Sequence, residues 1–158
     1  MSAIISECEK YRYVLRRGPE NVRTMLWVML NPSTADATQD DPTINKCVQF
    51  SKRNGRDAIA VVNLYAFRST DPNILGRTPY FVGPDNDRHI DKVCGESWVD
   101  SCVIAWGAHR IADYRQMRVI EILDNHFINP LCLGQTKGGY PRHPLYVPYS
   151  QPLVPYAN

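Results

Sequence analysis

The sequence predicts an α/β fold: a single-domain three-layer sandwich with a mainly parallel central sheet of about four strands, plus an N-terminal antiparallel strand or hairpin. Three observations carry this. Continuous apolar runs of strand length recur at 25–30, 58–64, 101–106 and 131–133, as strands covered on both faces require. Stretches with apolar residues at helical spacing separate them. No repeat, low-complexity segment or internal linker interrupts the alternation.

Each element follows in order. Tyr11-Arg12-Tyr13-Val14-Leu15-Arg16 alternates like a half-buried strand, and Gly18-Pro19-Glu20-Asn21 is a turn. Met25-Leu26-Trp27-Val28-Met29-Leu30 reads as a central strand that stops abruptly at Asn31-Pro32-Ser33-Thr34. A polar loop then carries Asp36, Asp40 and Asp41. Asp41-Pro42-Thr43 is a helix start, because proline's missing N–H is no loss in the first turn. Ile44, Cys47, Val48 and Phe50 continue that helix towards a stop at Gly55. Residues 58–64 form a buried strand, and loop signals run through 68–84. Residues 85–98 read as helix, with Asp85 and Asp87 favourably placed against its dipole. Residues 101–106 form the next strand, ending at Gly107. Residues 110–126 give the clearest amphipathic helix, with Ile111, Tyr114, Met117, Val119, Ile120 and Leu123 on its apolar face. Leu131-Cys132-Leu133 is a short strand, Gly138-Gly139 marks a loop, and another short extended piece falls within 141–147. The domain is thus expected over 1–147, followed by an irregular Pro-rich tail over 148–158.

The bulk numbers narrow the class. A chain of 158 residues with 44% hydrophobic and 22% charged residues is ordinary for a globular domain, not for a disordered or collagen-like one. No apolar run approaches the ~18–20 residues that span a bilayer. The N-terminus lacks the basic start and apolar segment of a signal peptide, so a cytoplasmic protein without a membrane partner is expected. Five widely spaced cysteines include no CxxC pair, which argues against a zinc knuckle and for reduced thiols. The net charge of +2 permits nucleic-acid binding without arguing for it.

In open parallel sheets, ligands bind beyond the carboxyl ends of the strands. Four polar clusters fall at such ends: Asn31-Pro32-Ser33-Thr34-Ala35-Asp36, Asn63-Leu64-Tyr65, Trp106-Gly107-Ala108-His109 and Arg142-His143-Pro144-Leu145. Each residue taken singly also has a structural reading as turn former, cap or satisfied polar group. The Asn31 amide can orient a water or bind a base edge. Asp36, Asp40 and Asp41 can cap a helix, hold Mg²⁺ or act as a base, and the cap reading falls on Asp40 or Asp41. Asn63 ends an apolar strand, where its amide must find a partner or face a cavity. His143 can donate to a developing anion. The four histidines lack metal-ligand spacing, and neither a Gly-rich phosphate loop nor a GxSxG nucleophile elbow is present.

Two resemblances follow. The boxes Leu30-Asn31-Pro32-Ser33-Thr34-Ala35-Asp36, Asp40-Asp41-Pro42-Thr43-Ile44, Asn63-Leu64-Tyr65-Ala66-Phe67-Arg68, Asp71-Pro72, Gly83-Pro84-Asp85-Asn86-Asp87, Ala105-Trp106-Gly107-Ala108 and His143-Pro144-Leu145-Tyr146 resemble those of a bacterial and phage family, domain of unknown function 1643, over nearly the whole chain. That resemblance implies no activity. More distantly, the order of the boxes is similar to that of the uracil-DNA glycosylase superfamily. There a first strand ends in a Pro-containing motif that holds the water-activating residue, matched by Asn31-Pro32. A second ends in a base-reading Asn, matched by Asn63. A third ends in a Trp-Gly-x-x-Ala-like box, similar to Trp106-Gly107-Ala108. A C-terminal His-Pro-Ser-Pro-Leu-like loop is partly matched by His143-Pro144-Leu145, with Leu145-Tyr146 in place of Ser-Pro.

This second resemblance implies a uracil-DNA-glycosylase-like fold and a nucleobase-recognising enzyme that hydrolyses an N-glycosidic bond in DNA or a nucleotide, without a cofactor. Asn31 would orient the water, with Asp36 as second choice. Asn63 would read the base edge, Tyr65 or Phe67 would stack on the base, and His143 would donate to the leaving base. Pro32, Ser33, Trp106, Gly107 and Arg142 would line the pocket. Two rivals stand beside it. One is a Mg²⁺-dependent enzyme on nucleotides or nucleic acid, built on Asp40 and Asp41 with Asp36, Asp85 and Asp87. The other is a non-catalytic module that binds a base or nucleic acid.

Overall fold

A computed structural model describes residues 1–157. Its strands are β1 (Ser2–Ile5), β2 (Arg12–Arg17), β3 (Thr24–Met29), β4 (Ala58–Asn63), β5 (Val99–Ile104), β6 (Leu131–Cys132) and β7 (Val154–Pro155). Its helices are α1 (Pro42–Arg53), α2 (Pro79–Val82), α3 (Asn86–Cys94) and α4 (Gln116–Asn125). The seven strands form one sheet in the order β1-β2-β4-β3-β5-β6-β7. Pairings β3–β4, β3–β5 and β5–β6 are parallel, whereas β1–β2, β2–β4 and β6–β7 are antiparallel. The sheet is therefore larger and more mixed than the mainly parallel sheet of about four strands that the apolar runs indicate. Beyond the four parallel strands lie the N-terminal antiparallel pair β1–β2 and the C-terminal β7; the two edge strands, β1 and β7, are short, and an edge needs no continuous apolar run. β7 even contains Pro155, which an edge tolerates because the missing N–H need not join a ladder.

Strand alternation divides the core into two layers. Leu26 and Val28 of β3, Val62 of β4 and Ile104 of β5 pack with Ile90 and Val93 of α3 and with Val119, Ile120 and Leu123 of α4. Met25, Trp27 and Met29 face the other way, onto Ile44, Cys47 and Phe50 of α1. Burial on both faces is why β3 reads as an unbroken apolar run rather than an alternating one. The Trp27 indole N–H donates to Ser51 Oγ of α1 at 2.8 Å, so the one polar atom of that ring is satisfied inside the layer.

Three segments depart from their sequence reading. The expected helix over 110–126 is broken: Arg110–Tyr114 is a 3-10 turn, and α4 begins at Gln116. Arg115, at the break, turns inward and donates to Leu64 O and to Asp87, a hydrogen-bonding demand that periodicity does not register. Tyr114 and Met117, expected on the apolar face, are exposed. The extended piece expected within 141–147 is a 3-10 turn over Pro144–Tyr146. The helix expected over 85–98 ends at Cys94, because Val99 already belongs to β5.

Two features of the sheet position a site. The connection from β3 through α1 runs to β4 on one side, and that from β5 through α4 runs to β6 on the other, across the opposite face. Oppositely directed connections from neighbouring parallel strands leave a crevice at their carboxyl ends. Second, β2 is bulged. Ile4 pairs with Val14 and Ile5 with Arg12, so Tyr13 is an extra residue. A bulge reverses the alternation beyond it. Tyr13 accordingly packs with the α3 layer, stacked on His89, while Arg12 turns to the α1 side and donates to Ala35 O.

Candidate functional site

The crevice holds a cavity of about 650 Å³, within the range of small-ligand pockets. Asn31, Ser33, Asn63, Trp106, Gly107, Arg142 and His143 line it together. These residues come from four chain segments, and the strand ends bring them to one place. Arg12, Asp41, Thr43, Ser69, Thr70, His109, Thr136 and Tyr146 complete its polar and aromatic lining.

Asn63, the last residue of β4, is 1% exposed, and neither its Nδ2 nor its Oδ1 has a hydrogen-bond partner. A buried amide left unpaired costs about 1–3 kcal/mol, so such a group at a cavity marks a place where a ligand can supply the missing partners. The Trp106 indole N–H is likewise buried and unpaired. Asn31 is different. Its Nδ2 donates to Pro32 O at 3.1 Å and to Ser69 O at 3.0 Å, which fixes the amide and leaves Oδ1 as its unused acceptor among the described residues.

His143 precedes the 3-10 turn at 144–146, and its Nδ1 accepts from Leu145 N–H at 3.2 Å. In the neutral ring the proton then sits on Nε2, a donor with no partner among the described residues. Burial holds the His143 pKa below the ordinary histidine range, with the Asp41 charge opposing, so the neutral donor form is favoured. Gly107 makes room for this ring. Its φ of +80° suits glycine, and a Cβ there would meet His143 Cβ at 3.3 Å. His109 repeats the capping arrangement, Nδ1 accepting from Ile111 N–H, but its Nε2 is engaged by Asn73 Oδ1 at 2.9 Å.

Other expected residues lie elsewhere. Asp36 is half-buried and accepts from Thr38 N–H and Gln39 N–H, both at 2.9 Å, which lowers its pKa; it closes a turn outside the cavity lining rather than addressing a water there. Tyr65 is fully buried with its hydroxyl donating to Ile111 O at 2.7 Å, and Phe67 packs with Tyr80 and Phe81. Neither ring lines the cavity, so the stacking position expected of them is not where the fold puts them. Pro32 contributes a backbone carbonyl that holds Asn31 and Ser69. The acids do not gather. Asp40 pairs with Arg17, Asp87 with Arg115 and Arg118, and Asp85 with Arg88. Asp41 caps α1, its two oxygens accepting from Ile44 N–H and Ala35 N–H. No group of three metal-competent side chains occurs among the described residues. Asp41 is the one carboxylate in the cavity lining.

Sequence reading missed Arg12 and Tyr146, together with the hydroxyl residues Thr43, Ser69, Thr70 and Thr136. The bulge that re-aims Arg12 leaves no mark on a simple alternating pattern. Tyr146 follows the His-Pro pair directly and is 79% exposed at the cavity.

The fold thus defines an open-sheet α/β domain with a cavity at the carboxyl edge of its parallel strands, lined by both apolar and polar side chains. Residues 12–145 match the family described as protein of unknown function (DUF1643), and the chain belongs to that family. No curated protein and no solved structure matches it. The matched segment begins at Arg12 and ends at Leu145, taking in the whole cavity lining except Tyr146. No helix is long and apolar enough to cross a membrane.

Proposed function

We propose that the cavity recognises a nucleobase and that the protein hydrolyses an N-glycosidic bond, in a fold of uracil-DNA-glycosylase-like type. The observation that carries this reading is the Asn63 amide, which offers one unpaired donor group and one unpaired acceptor side by side. A base edge presents the complementary pair, and a site built to bond both rejects analogues that leave either unpaired. His143 Nε2–H supplies a donor for negative charge that develops on the departing base. Water attacks the sugar carbon as the carbon–nitrogen bond breaks. The bonding electrons leave with the base, and the water's proton passes to solvent. Asn31 Oδ1 is an acceptor that orients the water rather than a strong base, which suits a sugar already carrying positive charge. Asp41, the fixed carboxylate of the lining, favours that charge. For duplex DNA the base would have to leave the stack to reach this depth. A DNA or nucleotide substrate, without a cofactor, belongs to the same proposal.

The test is incubation of the purified protein with oligonucleotides containing uracil, mismatched thymine, hypoxanthine or modified pyrimidines, and with the corresponding free nucleotides. Release of a base, and loss of that release in Asn31→Ala, is the expected result. No free base and no abasic site across the panel would overturn the hydrolytic half of the proposal. Absence of any Asn63-dependent base binding would overturn the other half.

A further inference from the structure

Three arginines are deeply buried: Arg12 at 2% exposure, Arg17 at 5% and Arg115 at 8%. Two are saturated. Arg17 donates to Asp40, Ser2 O, Arg16 O, Asp36 O and Gln39 O. Arg115 donates to Leu64 O and to both oxygens of Asp87. Arg12 is not. Its guanidinium has five N–H donors, yet its side chain makes a single hydrogen bond, Nη1 to Ala35 O at 2.9 Å, and Nε is buried without a partner. No carboxylate among the described residues makes a direct ion pair with it; the Asp41 charge acts on it favourably from a distance, while the Asp41 oxygens hold the Ile44 and Ala35 N–H groups. Of the three, Arg12 alone lines the cavity.

A cation held out of water without a directly bonded counter-ion is unfavourable, and folds that bury one normally pair it, as this fold does at Arg17 and Arg115. The bulge at Tyr13 is what carries Arg12 to the cavity instead of the α3 layer. The neighbouring unpaired groups lean the same way. Trp106 Nε1–H, Asn63 Nδ2 and His143 Nε2–H are donors without acceptors, against the two unpaired acceptors Asn63 Oδ1 and Asn31 Oδ1, and Arg142 adds a second cation to the lining. Against them stands one carboxylate. The site has donors and positive charge in excess, so its complement is rich in acceptors and negative. Burial depresses the Arg12 pKa to about 10, which leaves the group charged at neutral pH.

We propose that Arg12 is the anion receptor of the cavity and that the natural ligand is an anionic nucleobase compound, whose negatively charged oxygen docks on the Arg12 guanidinium beside Asn63. The inference rests on the reading of the cavity as a nucleobase site. The charged oxygen has two sources, the phosphate of a nucleotide or the ionised oxygen of an oxopurine, and both can be probed.

Calorimetric titration distinguishes them. The probes are uncharged deoxynucleosides, the same nucleosides as 5′-monophosphates, urate as an ionised oxopurine, and inorganic phosphate. The proteins are wild type, Arg12→Gln, Arg12→Lys and Arg88→Gln. Wild type is expected to bind an anionic probe at least about ten-fold tighter than the uncharged nucleosides, the scale of one charge-assisted hydrogen bond. Arg12→Gln is expected to erase that preference, Arg12→Lys to restore part of it, and Arg88→Gln, at an exposed arginine outside the cavity lining, to leave it unchanged. A preference for monophosphates identifies the phosphate, and one for urate identifies the ionised base. Equal affinity for charged and uncharged probes in wild type overturns the inference, as does failure of every anion to bind. That comparison stands even where Arg12→Gln does not fold. Asn63→Leu separates the two readings. Anion binding that is Arg12-dependent but indifferent to the base and to Asn63 keeps the receptor and removes the nucleobase reading. Base binding that needs Asn63 but ignores charge does the reverse.

Discussion

Asn63 is a polar side chain in a position the sheet would fill with an apolar one, and this makes its role separable from folding. Removing an unpaired buried amide relieves its desolvation cost, so Asn63→Leu is expected to hold or raise the melting temperature. It should at the same time abolish base-selective binding. Thermal melts beside binding titrations check this, and a lower melting temperature with unchanged binding would make Asn63 a structural residue. His143 gives a second prediction. Burial lowers its folded pKa, so the unfolded chain takes up this proton at a higher pH than the folded one. Stability linked to His143 is therefore complete above the ordinary histidine pKa and is lost as pH falls below it. His89 shifts the same way and adds to the slope. His143→Gln should lose less stability than wild type between pH 7.5 and pH 5.5 in urea melts, while retaining the residual slope from His89. At neutral pH, if the ring donates to a leaving base, the same substitution should lower turnover by about 10²–10³ and binding far less. Parallel losses of rate and affinity would leave His143 a cap for its turn.

At the scale of elements, α1 ties folding to the site through Asp41. Its carboxylate caps the helix by accepting from Ile44 N–H at 2.9 Å and also holds Ala35 N–H. Asp41→Ala should cost about 0.5–2 kcal/mol, the range for loss of an N-cap. Asp41→Asn keeps an acceptor and should recover most of that, while removing the one negative charge of the cavity lining. If both variants melt alike, the capping account is wrong. This helix was legible in the sequence because Asp41-Pro42 is a local signal, and the same holds for β3, β4 and β5, whose apolar runs are long enough to be read alone. The cavity was legible in part for a related reason: strands that end abruptly in polar residues deliver those residues to one edge. What stayed hidden depends on partners far away in sequence. Arg12 reaches the site only because pairing with β1 places a bulge at Tyr13. Tyr65, which reads as a strand-end residue, is drawn into the core by Ile111 O. The break at Arg115 answers acceptors on other segments.

At the scale of the molecule, the Pro-rich C-terminal segment belongs to the fold rather than trailing from it. β7 pairs with β6, and Tyr156 N–H donates to Pro130 O at 3.0 Å. The Tyr156 ring packs edge-on against Trp106, whose other neighbours form the cavity, with ring centres 6.5 Å apart. Tyr149 lies 5.1 Å from the Phe50 ring and carries Lys46 Nζ at 4.1 Å above its face, which joins the segment to α1 on the opposite layer. Irregular composition concealed this, because proline removes donors but leaves carbonyls and aromatic rings able to bind. A chain ending at Val147 would lose the Tyr156–Trp106 pair, worth about 0.5–1.5 kcal/mol, and the Lys46–Tyr149 contact, worth about 0.5–1 kcal/mol. It would also leave β6, a strand of two residues, as an open edge. At roughly 2–4 °C per kcal/mol for a domain of this size, the truncated chain should melt at least about 2 °C lower than the full one. Because Trp106 lines the cavity, ligand binding should weaken as well, and exposure of β6 should raise the tendency to associate. Scanning calorimetry and light scattering on the two chains measure all of this. An unchanged melting temperature, with unchanged binding, would mean that the segment after Val147 is an appendage to the domain.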